Sequence, residues 1–260
     1  FSATQALCNH CGELCDAKTV FRGEQVFLVK HCPAHGRSEA LISSDRQWYL
    51  RSLAYVKPGT APLARAVAEQ RACPGVSCGL CPEHQQHTCV PIVEITQGCD
   101  LACPICLVGE AGKEAMSLED IGAVVDALVR YEGRINMLNL SGGEPTTHPE
   151  LLAIVDAVAS REEVGILSIS TNGLRLARDE SLLRSLCERE VVISLQLDGF
   201  DPATTRALRG RDDLGPLKRK LIDDVLRLGG RLSLTVTLAK GVNEGELPAL
   251  RVVESRADGR

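Results

Sequence analysis

Long apolar runs are missing from this chain of 260 residues. None approaches the ~18 residues of a membrane span. No charged segment followed by an apolar core opens the chain, so no secretory signal is read there. The first residue is Phe1 rather than Met, as in a piece of a longer protein. Positive charge is not in excess: 29 Lys+Arg against 34 Asp+Glu gives 29 − 34 = −5, with no sign of a nucleic-acid surface. Aromatic residues make up only 3%, and no amphipathic membrane helix is evident, which favours a soluble ligand over a lipid. Disorder is excluded by 44% hydrophobic and 24% charged residues, the mix of a folded soluble protein. The length suits one large domain, or one plus a small module.

Cysteine is what the chain has in quantity. Twelve in 260 residues fall short of the ~8–10% of a disulfide scaffold. Eleven lie within the first 106 positions: Cys8, Cys11, Cys15, Cys32, Cys73, Cys78, Cys81, Cys89, Cys99, Cys103 and Cys106. Spacings of C-x₂-C and C-x₃-C are poor for internal disulfides and suit metals. With no secretion signal, thiols kept reduced are expected. The reading is a metal-rich protein of the cytoplasm.

Three zones follow: residues 1–40 as a metal knuckle, 41–90 as a linker helix plus a second cysteine cluster, and 91–260 as an α/β domain. In the first, Val20–Arg22 and Val26–Lys30 flank Gly23-Glu24 as a hairpin. Cys8-x₂-Cys11 precedes it and Cys32-x₂-His35 follows, the layout of a mononuclear Zn or Fe site. Cys15 competes with His35 as fourth ligand. A 40-residue module needs such a staple because its core is small. Residues 45–56 read as a helix, broken by Lys57-Pro58-Gly59. Cys73, Cys78, Cys81 and Cys89 lie within seventeen residues and complete a four-thiolate site, an auxiliary [4Fe–4S] cluster with zinc as the alternative. His84 and His87 lie within this run.

From Pro91 onward strands and helices alternate. Strands are expected at 92–96, 135–140, 164–170, 191–197 and 232–238. Helices are expected from Ser117, over 149–160, 179–188 and 217–228, and from Glu246. Five β-α repeats predict a parallel sheet, closed as a barrel or open and doubly wound. Right-handed crossovers put every β-to-α loop on one edge, where ligands bind. Those loops carry Cys99, Cys103 and Cys106; Ser141-Gly142-Gly143-Glu144-Pro145; Ser170-Thr171-Asn172-Gly173; Gln196, Asp198 and Gly199; and Lys240, Gly241 and Asn243. Three thiolates on one loop hold three irons of a [4Fe–4S] cube, and a cube needs four ligands. One iron is left for a small molecule. Cys187 sits among leucines and reads as core.

Cys99-x₃-Cys103-x₂-Cys106 after the first strand, then Gly142-Gly143-Glu144-Pro145 after the second, resembles the radical S-adenosylmethionine (radical SAM) superfamily over about residues 91–250. The resemblance implies a partial (βα)₆-type barrel, of which five βα units are present, behind a small rubredoxin-like or zinc-knuckle-like module. It implies catalysis through Cys99, Cys103 and Cys106, whose cluster leaves an iron for the amine and carboxylate of S-adenosylmethionine and cleaves it to a 5′-deoxyadenosyl radical. Gly142, Gly143, Glu144 and Pro145 are then expected at the methionine amine. Ser170, Asn172, Gln196 and Asp198 match positions for ribose and carboxylate, with Asn243 beyond the fifth strand. Ile105 departs from the aromatic often found before the third cysteine.

The order of the three cysteine clusters, with Cys32-Pro-Ala-His35-Gly36, resembles one branch of that superfamily. The branch includes a methyltransferase acting on 7,8-dihydro-6-hydroxymethylpterin and the archaeal tetraether lipid synthases. It implies methyl transfer to a pterin-like small molecule first, and coupling of lipid alkyl chains second. A one-electron reductase such as a ferredoxin or flavodoxin is the implied partner. A non-catalytic iron–sulfur carrier is the contrasting reading, although a carrier has no use for a three-ligand cluster beside Gly-Gly-Glu-Pro.

Overall fold

The computed structural model describes residues 1–55, 59–64, 87–107 and 112–250. The chain divides into two compact units, Phe1–Gly59 and Thr60–Arg260.

Alternating apolar residues and three glycine-closed turns shape the first unit as an antiparallel sheet of four strands in sequential order. These are β1 (Ser2–Leu7), β2 (Leu14–Arg22), β3 (Gln25–Cys32) and β4 (Gly36–Ser43). The expected hairpin is the central pair, turning at Gly23 with φ 59°. Flanking strands β1 and β4 extend it beyond the expectation. β4 crosses residue 40, so the knuckle does not end there. Helix α1 (Arg46–Ala54) also belongs to this unit. The Asp45 side chain caps it by accepting from the Trp48 amide at 2.8 Å, and the Arg46 amide donates to the Glu24 carbonyl at 2.7 Å. No α1 residue is buried. The sheet's own core is thin, and Cys8, Cys15 and Cys32 form a buried cluster within it.

The second unit holds the parallel sheet. Its strands are β5 (Ile92–Thr96), β6 (Ile135–Gly142), β7 (Val164–Thr171), β8 (Val192–Gln196) and β9 (Arg231–Thr235). Their spatial order is their chain order, and all four pairings are parallel. A doubly wound sheet reverses direction at a switch point. No reversal occurs here, so the winding is that of a barrel wall. The connecting helices are α2 (Leu118–Glu132), α3 (Leu151–Ala159), α5 (Glu180–Glu188) and α7 (Leu214–Arg227). Two further helices, α4 (Leu174–Arg178) and α6 (Pro202–Arg209), follow β7 and β8 directly and were not expected. α4 starts at Gly173 with φ 81°, and Asp201 caps α6 with Pro202 in the first turn. α3 begins two residues later than expected, because Pro145–Thr147 forms a 3₁₀ turn first. Residues 247–250 begin the fifth expected helix.

Sheet residues alternate between two environments. Leu138, Leu140, Ile169, Ile193 and Leu195 are fully buried among the helices' apolar residues. The intervening positions are polar: Asn139, Ser168, Ser170, Ser194 and Gln196. Cys187 packs half-buried against this core, as expected. Among the described residues no helix is long and apolar enough to cross a membrane.

Candidate functional sites

The knuckle is built by two matching turns. Cys8-Asn-His-Cys11-Gly12 joins β1 to β2, and Cys32-Pro-Ala-His35-Gly36 joins β3 to β4. The glycine after each second ligand has positive φ, 72° and 71°, which a side chain would resist. Cys8, Cys11, Cys32 and His35 bring their ligand atoms within 4.8 Å of one another. Cys8 Sγ lies 3.7 Å and Cys32 Sγ 3.6 Å from His35 Nδ1, and the Cys11 and Cys32 sulfurs are 3.9 Å apart. A tetrahedral zinc with bonds of about 2.3 Å to sulfur and about 2.0–2.1 Å to nitrogen spaces its ligands by roughly 3.5–3.8 Å. The donor set therefore fits a mononuclear metal. Amides of Cys11 and His10 pull the Cys8 thiol down to about 6, favouring the thiolate a metal needs. Cys15 takes no part: its thiol donates to the Ala6 carbonyl at 3.2 Å. Geometry thus selects His35.

The second site gathers at the C-terminal ends of the parallel strands. Cys99, Cys103 and Cys106 follow β5, Cys99 and Cys103 half-buried and Cys106 exposed. The Cys99 sulfur accepts from the Leu101 amide at 3.5 Å, and the Cys106 amide donates to the Cys103 carbonyl at 3.1 Å. Burial pushes the Cys99 thiol up, opposed by the Leu101 amide and aided by the Asp100 and Glu144 carboxylates.

Gly142 and Gly143 carry the loop after β6 directly across the cysteine loop. The Gly143 amide donates to Thr96 O at 2.8 Å, and the Glu144 amide to Gly98 O at 2.7 Å. A Cβ on Gly142 would sit 2.2 Å from Thr96 O, and one on Gly143 2.4 Å from Gly98 O. These glycines were expected to admit a ligand; the close approach they permit here is between two loops of the chain. Glu144, 1% exposed, joins three loops. Its Oε1 accepts from the Thr146 amide (3.1 Å), Thr146 Oγ1 (2.6 Å) and Thr171 Oγ1 (2.7 Å), and its Oε2 from the Asn172 amide (2.7 Å). Burial still raises its pKa against those four bonds. Pro145 opens the 3₁₀ turn and is buried.

The remaining strand-end residues are wired to one another. Asn172 Nδ2 donates to Asp100 Oδ1 at 2.6 Å, tying β7 to the cysteine loop. Ser170 exchanges bonds with the Asn139 side chain, and Ser168 donates to it at 3.0 Å. Ser194 and Thr235 hydroxyls meet at 3.1 Å. Asp198 pairs with Arg209 at 2.6 Å and accepts from the Thr237 amide and the Gln196 side chain. Asn243, 1% exposed, donates to the Asp198 and Thr237 carbonyls and accepts from the Ala239 amide. Its polar atoms brace the loop after β9.

Three contributors escaped the sequence reading: Asp100, Arg209 and Lys218. Lys218 carried a signal, since it falls among Leu214, Leu221, Ile222 and Val225 on the apolar face of α7. It is 2% exposed, and its Nζ donates to Gln196 O (2.5 Å) and Oε1 (2.6 Å). The auxiliary-cluster residues Cys73, Cys78 and Cys81, with His84, lie outside the described residues. Cys89 is exposed, and the His87 amide donates to Thr60 O at 2.7 Å.

Comparison with known proteins matches this layout. The sequence profile of the radical SAM superfamily covers residues 93–251, and an HMPTM N-terminal zinc ribbon profile covers residues 1–44. A 7,8-dihydro-6-hydroxymethylpterin dimethyltransferase of Methanocaldococcus jannaschii is 29% identical over 251 residues, 94% of this chain and 48% of that protein. A GTP 3′,8-cyclase of Edwardsiella ictaluri is 29% identical over 164 residues, 60% of this chain and 48% of its own. The chain thus spans about half the length of these curated relatives. The structure of Streptococcus suis SuiB bound to S-adenosylmethionine shares the fold, with TM-score 0.56 at 18% identity, covering 66% of this chain and 39% of that one. Profile, parallel winding and strand-end cysteine loop agree: the chain belongs to the radical SAM superfamily.

Proposed function

We propose that the chain cleaves S-adenosylmethionine reductively to methionine and a 5′-deoxyadenosyl radical, which activates a folate-type one-carbon donor for methyl transfer to a pterin-like small molecule. Cys99, Cys103 and Cys106 are the ligands assigned to the [4Fe–4S] cluster. When bound, that cluster supplies the electron and an open iron for the amine and carboxylate of S-adenosylmethionine. The chain's part is to position and shield. Asn172 holds the cysteine loop through Asp100, and Gly142-Gly143 lock it from below. Ser170, held by Asn139 near the end of β7, is the hydroxyl assigned to ribose, whereas both ends of the Gln196 side chain are taken by Lys218 and Asp198.

The observation that carries the pterin reading is the match to the pterin dimethyltransferase over 94% of this chain, beside the HMPTM zinc ribbon match over residues 1–44. The polar sheet positions Asn139, Ser168, Ser170 and Ser194 favour a hydrogen-bonding substrate over the alkyl chain of a lipid. Cys73, Cys78, Cys81 and Cys89 are assigned to an auxiliary [4Fe–4S] cluster, with zinc the competing metal. A ferredoxin or flavodoxin is the proposed electron donor, and the cytoplasm the proposed setting.

The test is anaerobic. The protein is reconstituted with iron and sulfide, reduced, given S-adenosylmethionine, a reduced folate as one-carbon donor and a hydroxymethylpterin, and assayed for 5′-deoxyadenosine and methylated pterin. Product from the parent and none from Cys99→Ala is expected. Cleavage that survives Cys99→Ala refutes the cluster assignment, and cleavage that never transfers a methyl group to pterin refutes the substrate.

A further inference from the structure

A chain of buried polar groups runs behind the cysteine loop, and the proposed reaction leaves it unexplained. Lys218 donates to the Gln196 carbonyl and side-chain oxygens. The Gln196 amide donates to Asp198 Oδ2. Asp198 holds the Arg209 guanidinium through both oxygens, at 2.6 and 3.1 Å. The guanidinium also donates to Thr237 Oγ1 at 3.1 Å and lies near enough to Cys103 for the two charges to interact. The side chains of Asp198 and Arg209 are 1% and 12% exposed, and Lys218 is 2% exposed. Two cations and one carboxylate leave a net single positive charge within this buried network, beside the loop that carries Cys103.

Burying two cations is costly, and packing does not require it, because α7 has leucine, isoleucine and valine at the neighbouring inward positions. The arrangement makes sense if something negative stands at its end. Reduction of an iron–sulfur cluster adds one negative charge, and hydrogen bonds and charges at the sulfurs are among the factors that set its potential. Asp198 fixes the guanidinium in a bidentate fork, which removes the freedom to swing away. Gly210, next in the chain, lies against the loop itself: a Cβ there would be 3.2 Å from Ala102 O.

We propose that Arg209, positioned by Asp198 and backed by Lys218 through Gln196, raises the reduction potential of the cluster on Cys99, Cys103 and Cys106. This rests on the cluster assignment above. Arg209 is a positioning and tuning residue in this scheme and makes no contact with substrate. Its charge stabilises the reduced cluster and so eases transfer of an electron from a low-potential one-electron donor.

The experiment is a redox titration of the reconstituted protein with dithionite and mediators. The EPR signal that S-adenosylmethionine perturbs is followed, which separates this cluster from any other. Iron content is measured in parallel. Arg209→Gln keeps a donor without the charge. It is expected to lower the reduced-to-oxidised ratio at the parent's midpoint about tenfold, a shift of about 59 mV for one electron. Arg209→Lys keeps the charge and is expected to restore most of it. If Arg209→Gln does not fold, Asp198→Asn with Arg209→Gln removes the ion pair without stranding a charge. It should shift the potential in the same direction by less, because loss of the carboxylate offsets part of the lost guanidinium charge. An unmoved potential in an iron-loaded uncharged variant overturns the inference, as does an equal fall in Arg209→Lys. A parent with no Cys99-dependent, S-adenosylmethionine-sensitive signal overturns the cluster assignment itself, an outcome distinct from both.

Discussion

Replacing Glu144 with alanine tests whether its carboxylate is an anchor of the fold as well as a ligand contact. The side chain accepts from two backbone amides, Thr146 and Asn172, and two hydroxyls, Thr146 and Thr171. The hydroxyls can rotate to other acceptors, but the amides cannot. Each buried amide left unpaired costs about 1–3 kcal/mol, so the variant loses roughly 2–6 kcal/mol from a domain whose total is about 5–15 kcal/mol. Glu144→Gln keeps an acceptor for three donors and turns an NH₂ toward one amide, so about 1–3 kcal/mol is expected. Urea unfolding followed by far-UV circular dichroism is the assay. Tryptophan fluorescence does not serve, because Trp48 lies in the N-terminal unit. S-Adenosylmethionine binding is then measured under conditions where both variants are folded. Stability of Glu144→Ala within about 0.5 kcal/mol of the parent, the range of a neutral surface change, refutes the anchoring argument. Unchanged binding in a folded Glu144→Gln would move the expected amine contact elsewhere.

Three further outcomes follow from the geometry. Cys32→Ala or His35→Ala should each lose the knuckle metal, whereas Cys15→Ala should retain it; metal analysis of the purified variants decides, and loss in Cys15→Ala would restore it as a ligand. Gly143→Ala drives a Cβ to within 2.4 Å of Gly98 O, so the cysteine loop must shift, and iron uptake should fall while α/β circular dichroism persists. Burial lowers the Lys218 ammonium to about 8 from an ordinary 10.5. Between those values the unfolded chain binds more protons than the folded one, so stability rises with pH through that window. The rise should shrink in Lys218→Met, read as the difference between parent and variant in urea midpoints at pH 7.5 and 9.5, and an equal rise in both would place its source elsewhere.

Local patterns were enough for much of the architecture. Ser117 with Asp120 marked the start of α2, and the cap is present, Ser117 Oγ accepting from the Asp120 amide at 3.1 Å. Apolar runs placed all five parallel strands, since strands covered by helices need unbroken hydrophobic faces. Helices α4 and α6 were missed because they are short, 5 and 8 residues, and their periodicity is lost among polar loop residues. β1 and β4 were missed because most of their residues are exposed, so little alternation marks them.

Cysteine spacing alone was sufficient to set the three-cysteine strand-end loop apart from the Cys/His knuckle, because spacing is a property of residue type and short-range separation. Pattern was also enough to put the polar strand ends on one edge, because right-handed crossovers leave no other place for them. Three things waited for the folded chain. Barrel-type winding over a doubly wound sheet depends on strand order, which no local pattern encodes. His35 over Cys15 depends on which way a β-strand side chain points once β1, β2 and β3 are in register. Among the partners of Glu144, Asp198 and Lys218 are residues 22 to 45 positions away in the chain. Such pairs are set by how whole elements pack, and only the tertiary structure turns isolated polar residues into a connected network beside the cysteine loop.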